Sequence, residues 1–350
     1  MKQPLIGKTL AQLEEVATGV GLRKFAASQM ARRLYKLGAK DLSEFTELPK
    51  AAREDLARTY CVGRTAPVRE SRSKDGTVKY LFPAHTPEVD YISGGLKGID
   101  FEAVYIPDRD RATLCVSSQA GCRMGCEFCM TGRQGFHGSL TPAAIINQVL
   151  SIPESASLTN IVFMGMGEPL DNVDAVLQAI EVLTAPWGLA WSPKRITVSS
   201  IGKMDTLRRL LDETKVHIAI SVHSPFSPQR KELMPVERAF PIEKVFALLR
   251  NYDFAHQRRL SAEYILWDGV NDTPAHADAL ARLIRGTSCR VNLIRFHAIP
   301  GFPHSTAEGP GMERFRDRLN DLGVTATIRT SRGEDIEAAC GMLAGESSAQ

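Results

Sequence analysis

From residue 112 onward, apolar runs of strand length alternate with amphipathic runs of helix length, and this regularity leaves few folds open. ATLCVSS is followed by TPAAIINQVLSI, NIVFMGMG by NVDAVLQAIEVLTA, and RITVSSI by KMDTLRRLLDE. VHIAISVH is followed by IEKVFALLRNYDF, LSAEYILW by PAHADALARLIRG, and CRVNLIRFH by GMERFRDRLNDLG, with VTATIRT as one more strand. The strand pieces are apolar on both faces, as parallel strands covered by helices must be. Six strand–helix units fall short of the eight that close a barrel. The expected fold is therefore α/β, a partial (β/α)6 barrel left open. In such a fold the working side chains sit at the carboxyl ends of the strands.

The first sixty residues read differently, as short helices. Leu10, Leu13 and Val16 lie at helical spacing and end near Gly19 and Gly21. Phe25, Met30, Leu34 and Leu37 give a second apolar stripe closed by Gly38, and Pro49 opens a third helix with Leu56 inward. Residues 66–106 change character, with the strand-like pieces VKYLF, VDYISG and FEAVYIP between Gly, Pro and Asp. The expected organisation is a small N-terminal helical accessory domain over 1–65, which could meet a polyanion such as a nucleic acid, and a β-rich linking segment over 66–100. The core would follow over 101–340 and a polar tail over 341–350.

Net charge is only +3, yet residues 1–75 hold 15 Lys and Arg against 9 Asp and Glu. A basic front end can meet a polyanion, although a solvated helical surface has the same composition. Arg23, Lys24, Arg32, Arg33 and Lys36 are the candidates for phosphate contacts. Seven cysteines in 350 residues are too few and too unevenly placed for a disulfide scaffold. They fit a reducing cytoplasm. No apolar run reaches membrane-spanning length, and MKQPLIGKTLAQLEEV lacks the apolar stretch of a signal peptide. A cytoplasmic location with no membrane partner is expected.

Chemistry concentrates in AGCRMGCEFCMTG, where Cys122, Cys126 and Cys129 stand in C-x3-C-x2-C spacing after the first core strand. Three thiolates can hold three corners of a [4Fe-4S] cluster and leave one iron open to a ligand. The rival is a zinc ion with a distant fourth ligand, but zinc loops favour paired C-x2-C spacing. The second strand ends in Gly165, Met166, Gly167, Glu168 and Pro169. Small residues let backbone approach a ligand closely, and Glu168 can accept hydrogen bonds from an ammonium group. Ser199 and Ser200 end the third strand, Ser221, Val222 and His223 the fourth, and His297 the sixth. A serine near a strand end commonly just caps the next helix. Their joint position after successive strands points to one mouth.

These residues reach a resemblance. CRMGCEFC and GMGEP resemble the radical S-adenosylmethionine enzymes. RATLCVSSQAGC, GCEFCMTGRQGF, FMGMGEPLDN, SVHSP, GVND, VNLIRFHAIPG and RGEDIEAACG resemble the RlmN/Cfr methyltransferases over roughly the whole chain, and RTSRGEDIEAACGML is closer to the RlmN pattern. The resemblance implies a radical-SAM barrel whose [4Fe-4S] cluster, on Cys122, Cys126 and Cys129, binds S-adenosyl-L-methionine at the open iron. Gly167, Glu168, Ser199, Ser221, Val222, His223 and His297 would surround that cofactor, although many relatives have Asn in place of His297.

It further implies that Cys340 takes a methyl group from one S-adenosylmethionine, and that a radical from a second removes a hydrogen from that methyl. Cys115 would then attack the Cys340 sulfur, leaving a disulfide, and Glu102 would remove the proton from the adenine carbon. The implied substrate is C2 of an adenine in 23S rRNA near the peptidyl-transferase centre and, in some bacteria, an adenine beside the tRNA anticodon. The implied electron donor is of low potential, such as flavodoxin or ferredoxin. C8 methylation of the rRNA adenine, the Cfr reaction that gives ribosomal antibiotic resistance, is the alternative. Without the resemblance, Cys115 and Cys340 read as small buried apolar residues and Glu102 as a surface carboxylate. Cys61 and Cys289 are assigned to packing. An electron-transfer protein with a fully ligated cluster, or an RNA-binding assembly factor with a structural one, are the competing classes.

Overall fold

The front end folds as its apolar stripes require. In the computed structural model, which describes residues 1–93, 99–256 and 258–345, β1 (Gln3–Pro4) leads to α1 (Leu10–Gly19), where Thr9 and Gln12 form a capping box. The helix α2 (Ala26–Ala31) runs into one wide turn at 32–36. After Pro49, α3 (Lys50–Thr59) ends in β2 (Tyr60–Cys61), which pairs with β1. Leu13, Val16, Met30, Leu34 and Leu56 are buried, as their spacing predicts. Phe25 and Leu37 are instead 69% and 49% exposed. Phe25 precedes the helix, and the wide turn carries Leu37 off the packed face. The helical domain leans on the core. Gln178 Nε2 donates to Gly7 O at 2.6 Å, and a Cβ on Gly7 would lie 2.5 Å from Ala143 N.

The chain continues through β3 (Arg69–Arg72), β4 (Val78–Phe82), β5 (Ile92–Ser93), β6 (Phe101–Asp108), β7 (Arg111–Cys115), β8 (Gln119–Gly121), α4 (Met130–Gln134), β9 (Phe136–Leu140) and α5 (Pro142–Leu150). The repeating part then runs β10 (Asn160–Phe163), α6 (Val173–Thr184), β11 (Ile196–Ser200), α7 (Met204–Glu213), β12 (His217–Ser221), α8 (Ser227–Leu233) and α9 (Ile242–Leu249). It closes with β13 (Leu260–Leu266), α10 (Pro274–Ile284), β14 (Cys289–Arg295), α11 (Gly309–Asp321) and β15 (Ala326–Ile328).

One sheet has the order β15-β14-β13-β12-β11-β10-β7-β6-β4-β3. Every pair from β7 to β15 is parallel, the open barrel that six strand–helix units and a final strand predict. Beyond β7 the sheet continues antiparallel through β6, β4 and β3. The segment read as a link over 66–100 therefore lengthens the main sheet. Its hydrogen bonds to β6 make it continuous with the core, and its residues 94–98 lie outside the described residues. So do residues 346–350 of the tail.

Ile161, Phe163, Val198, Ile218, Ile220, Leu260, Val291 and Leu293 are all almost fully buried, which is why the strand segments carry so few polar residues. Each such side chain contributes roughly 1.5–3 kcal/mol on burial, so the barrel wall is held chiefly by these contacts. Among the described residues no helix is long and apolar enough to cross a membrane.

Candidate active site

The cysteine loop leaves the sheet through β8 and is pinched at its base. Gly121 has φ 72°, Cys122 N donates to Gly135 O at 2.9 Å, and a Cβ on Gly121 would lie 1.9 Å from that oxygen. At its far end Cys129 precedes α4, with Cys129 N donating to Cys126 O at 3.2 Å. The three thiols are close enough to act on one another. Burial is the main cause that pushes all of them up, Cys122 to about 12, and Cys122 and Cys129 add to the push on Cys126. Thiols in that state ionise only with a cationic partner, which an iron–sulfur cluster provides. Among the described residues, no three His, Cys, Asp or Glu side chains converge tightly enough for a single metal ion.

A second apolar cluster encloses this loop, and its Phe128, Ile201, Met234, Trp267, Phe296 and Ile299 are all buried. The Phe128 ring meets His223 edge-on at 4.8 Å and Trp267 at 5.2 Å, and Trp267 meets Phe296 at 5.8 Å. Such a lining keeps water from a reactive centre. Trp267 and Phe296 were not singled out in the sequence, where they look like ordinary strand-end aromatics.

Glu168 is buried and already partly engaged. Leu170 N donates to its Oε1 and Ile201 N to its Oε2, each at 3.0 Å, while its own N–H reaches Gln119 Oε1 at 2.9 Å. Burial raises its carboxyl to about 7, against the bonds from Ser200, Ile201 and Leu170 that pull it down. Each oxygen keeps lone-pair capacity for a further donor. The neighbouring glycines also meet a packing need. A Cβ on Gly165 would lie 2.7 Å from Ser117 Oγ, and one on Gly167, whose φ is 96°, 2.5 Å from Gln119 Cβ. They let the second strand end pack on the first, and no ligand is required to explain them.

Ser199 and Ser221 are half-buried near the ends of β11 and β12, while Val222 and His223 are buried. His223 has φ 55°, and its Nδ1 accepts from Ile265 N at 3.0 Å, which leaves Nε2 to carry the ring proton. Burial, then the Arg230 charge, lowers its pKa to about 3, so the ring is neutral. Asn271 of GVND ties this strand end to the next. Its Nδ2 donates to His223 O at 2.7 Å and Ile265 O at 2.8 Å, and its Oδ1 accepts from Trp267 N at 2.8 Å. His297 is buried after β14. Its Nδ1 lies 3.3 Å from Glu334 Oε1 at ion-pair distance but outside hydrogen-bond geometry.

Sequence reasoning missed Arg230. It lies wholly buried in α8, with Nε donating to Val222 O at 3.1 Å and Nη2 donating to Ser221 O at 2.9 Å and Ile201 O at 3.2 Å. Its Nη1 pairs with the buried Glu237. One guanidinium thus ties the ends of β11 and β12 together, and it favours the thiolate of Cys126. The only trace in the sequence is an Arg and a Glu two helical turns apart, directly after a strand end.

A C-terminal segment closes the mouth. Cys115 sits at the end of β7 between Val104 and Val162, and burial, with the nearby Cys340, pushes its thiol far up. The Cys340 residue is exposed, while its thiol lies among protein atoms. Burial raises it first; Glu263 and Cys129 add to that and Arg329 opposes it. Cys340 is therefore within electrostatic reach of Cys115 on one side and of the iron loop on the other. Both are free thiols here. Glu102, expected from its isolated sequence context at the surface, is buried on β6, with Lys79 Nζ 3.0 Å from Oε1 and Ala344 N donating to Oε2 at 3.1 Å. Of the basic front-end candidates, Arg33 and Arg32 lie 2.6 and 3.6 Å from Glu47, and Lys24 lies 3.6 Å from Glu14. Among the described residues Arg23 and Lys36 have no such ion pair.

Comparison with known proteins agrees with this geometry. Residues 116–281 match the Radical SAM superfamily, and residues 3–62 match the ribosomal RNA large subunit methyltransferase N-terminal domain. The chain is 54% identical to a probable dual-specificity RNA methyltransferase RlmN of Parabacteroides distasonis, over 98% of this chain and 96% of that one. It is 42% identical to the dual-specificity RNA methyltransferase RlmN of Syntrophobacter fumaroxidans, over 97% of each. The crystal structure of a radical SAM methyltransferase from Sphaerobacter thermophilus, 39% identical, matches 97% of this chain and 99% of that one with a TM-score of 0.88. With both family segments in place and relatives alike over almost their full length, the chain belongs to the RlmN family of radical SAM RNA methyltransferases.

Proposed function

We propose that this protein methylates C2 of an adenine in 23S rRNA, and an adenine beside the anticodon of tRNA, through a methyl group carried on Cys340. The observation that carries the reading is that the segment after Cys340 returns to the β6–β7 hairpin, where Ala344 N donates to Glu102 Oε2 at 3.1 Å and Cys340 acts electrostatically on Cys115. Cys122, Cys126 and Cys129 would hold an iron–sulfur cluster and Glu168, His223 and His297 would border its S-adenosylmethionine, which together would supply both a methyl group and a hydrogen-abstracting carbon radical.

The protein's own residues do the rest. Cys340 Sγ holds the methyl as a thioether, and after loss of one hydrogen atom its carbon bonds to the adenine. The adduct gives up one electron, which the oxidised cluster would accept, and, to Glu102, the ring proton. Cys115 as thiolate then attacks Cys340 Sγ. The sulfur–carbon bond breaks with its electron pair left on carbon, which takes up a proton to become the methyl, and a transient disulfide remains for an external reductant. The apolar lining of Phe128, Trp267 and Phe296 protects the radical from water. Flavodoxin or ferredoxin is the class of electron donor such a cluster takes. The dual-specificity name of the relatives supports two RNA classes, and the basic helical domain supplies a surface for structured RNA.

The test is an anaerobic reaction on ribosomal RNA and on tRNA, followed by mass spectrometry of the digested nucleosides. 2-Methyladenosine is expected from both, and 8-methyladenosine would overturn the assignment of position. Cys340→Ala should give no methylated base, and Cys115→Ala should remain covalently attached to RNA. Free turnover in either variant would remove that cysteine from the mechanism.

A further inference from the structure

The segment that bears Cys340 is fixed at both ends, and neither attachment involves Cys340 itself. Upstream, Gly333 N donates to Asp75 Oδ2 at 2.9 Å, and Arg332 Nη2 lies 3.2 Å from Asp108 Oδ1, which anchors it to turns of the antiparallel sheet extension. Downstream, it lies along α4, the helix that starts directly after the iron ligand Cys129. Met130 N donates to Gly341 O at 2.8 Å, and Thr131 Oγ1 donates to Leu343 O at 2.6 Å. Gln134 then makes a matched pair with one peptide. Its Nε2 donates to Gly345 O at 2.6 Å, and its Oε1 accepts from Gly345 N at 3.1 Å. A side-chain amide used in this way replaces a strand partner, satisfying both backbone groups of one residue at once.

Gly345 can seat there because it has no side chain, since a Cβ would lie 2.1 Å from Asp100 O. The first helical N–H of α4 has no side-chain cap, and it finds its acceptor in Gly341 instead.

We infer that Gln134 is a positioning residue for Cys340, and that α4 is the common support of the iron-binding thiols and the methyl-carrying thiol. The inference rests on the assignment of Cys340 as methyl carrier made above. Gln134 touches neither iron ligand nor Glu102 in the hydrogen bonds of this site, so its effect passes through the segment alone. Thr131 is the poorer probe, because its hydroxyl also acts on Cys129.

The experiment compares wild type with Gln134→Leu, which keeps bulk and loses both hydrogen bonds, and with Gly345→Ala, which attacks the same contact from the other side. In the cluster-free protein, amide exchange over 338–345 and alkylation of Cys340 by iodoacetamide, read by peptide mass spectrometry, should both rise about 10- to 30-fold, as expected for two net hydrogen bonds lost from a local opening equilibrium. In the loaded enzyme, iron content and 5′-deoxyadenosine formation should match wild type, while methylated RNA formed per 5′-deoxyadenosine falls by a similar factor. Wild-type exchange and alkylation in both variants would overturn the inference. So would loss of iron and of cofactor cleavage in proportion to methylation, because the contact would then serve the cluster only. Cys340→Ala separates the two levels. If that variant still methylates RNA, the carrier assignment fails, and the exchange data still report whether Gln134 holds the segment.

Discussion

Replacing Arg230 with Met should destabilise the protein far more than loss of a surface arginine. The Arg230 and Glu237 side chains are 0% and 2% exposed, so water does not compensate for either charge. Without the guanidinium, Glu237 Oε2 keeps only the Ile242 N–H at 3.0 Å, and its Oε1 has no partner at all. The carbonyls of Ile201, Ser221 and Val222 lose a charged donor at the same time. Breaking one side of a buried pair costs about 3–5 kcal/mol, so Arg230→Met is set at about 4 kcal/mol. Glu237→Met leaves the guanidinium bonded to the three carbonyls and should cost about 3 kcal/mol. The double variant removes both charges and should cost about 4 kcal/mol, no more than the arginine change alone, which gives a coupling of about 3 kcal/mol. The assay is anaerobic urea unfolding followed by tryptophan fluorescence and circular dichroism, with all variants compared at one pH. If the single effects add to within about 0.5 kcal/mol, or if Arg230→Met costs less than about 1 kcal/mol, the pair is not what holds these strand ends.

Other outcomes follow from the same geometry. Glu102→Gln should keep iron and cofactor cleavage and lose RNA methylation by about 100-fold or more, the scale of a missing general base; nucleoside mass spectrometry showing wild-type product would refute it. Cys122→Ser, Cys126→Ser and Cys129→Ser should each lower bound iron after anaerobic reconstitution to a small fraction of wild type, and full iron in any one would remove that residue from the ligand set. Glu168 has its carboxyl raised to about 7 from an ordinary 4.5, so the folded chain holds a proton there that the unfolded chain has released. Its contribution to stability is complete below about 4.5 and is lost as pH rises towards 7. Glu168→Gln should flatten the fall in melting temperature of the cluster-free protein between pH 4.5 and 7, and an unchanged slope would contradict the assignment.

The barrel was legible because parallel strands buried on both faces must be apolar throughout, and the helices between them carry a clear period. The antiparallel extension was seen as strand-like pieces but not as part of the sheet, because pairing partners are not written in a single strand. Phe25 and Leu37 were placed inward by spacing alone; Phe25 lies ahead of its helix, and a wide turn that the periodicity does not encode put Leu37 outside. Cys122, Cys126 and Cys129 could be grouped from local spacing, and the structure places their thiols near enough to act on one another. Cys115 and Cys340 carry no local signal, and only the family resemblance joined them. Gly165 and Gly167 carry a second demand that the motif does not announce, the packing of one strand end on another. Arg230 remained hidden because its partners are backbone carbonyls, which every sequence has.

The attachment of the C-terminal segment to α4 also bears on the order of folding. Gln134 and Gly345 are 211 positions apart. A contact of that span closes a very long loop and is favoured only after much of the intervening chain has been organised. During synthesis the strands from β7 to β14 emerge, and can pair, before residues 341–345 exist. Over that interval the first N–H of α4 lacks the acceptor that Gly341 later gives it, and Glu102 lacks the N–H of Ala344. Cys340 therefore joins a sheet whose strands, Cys115 on β7 among them, have already had the chance to pair.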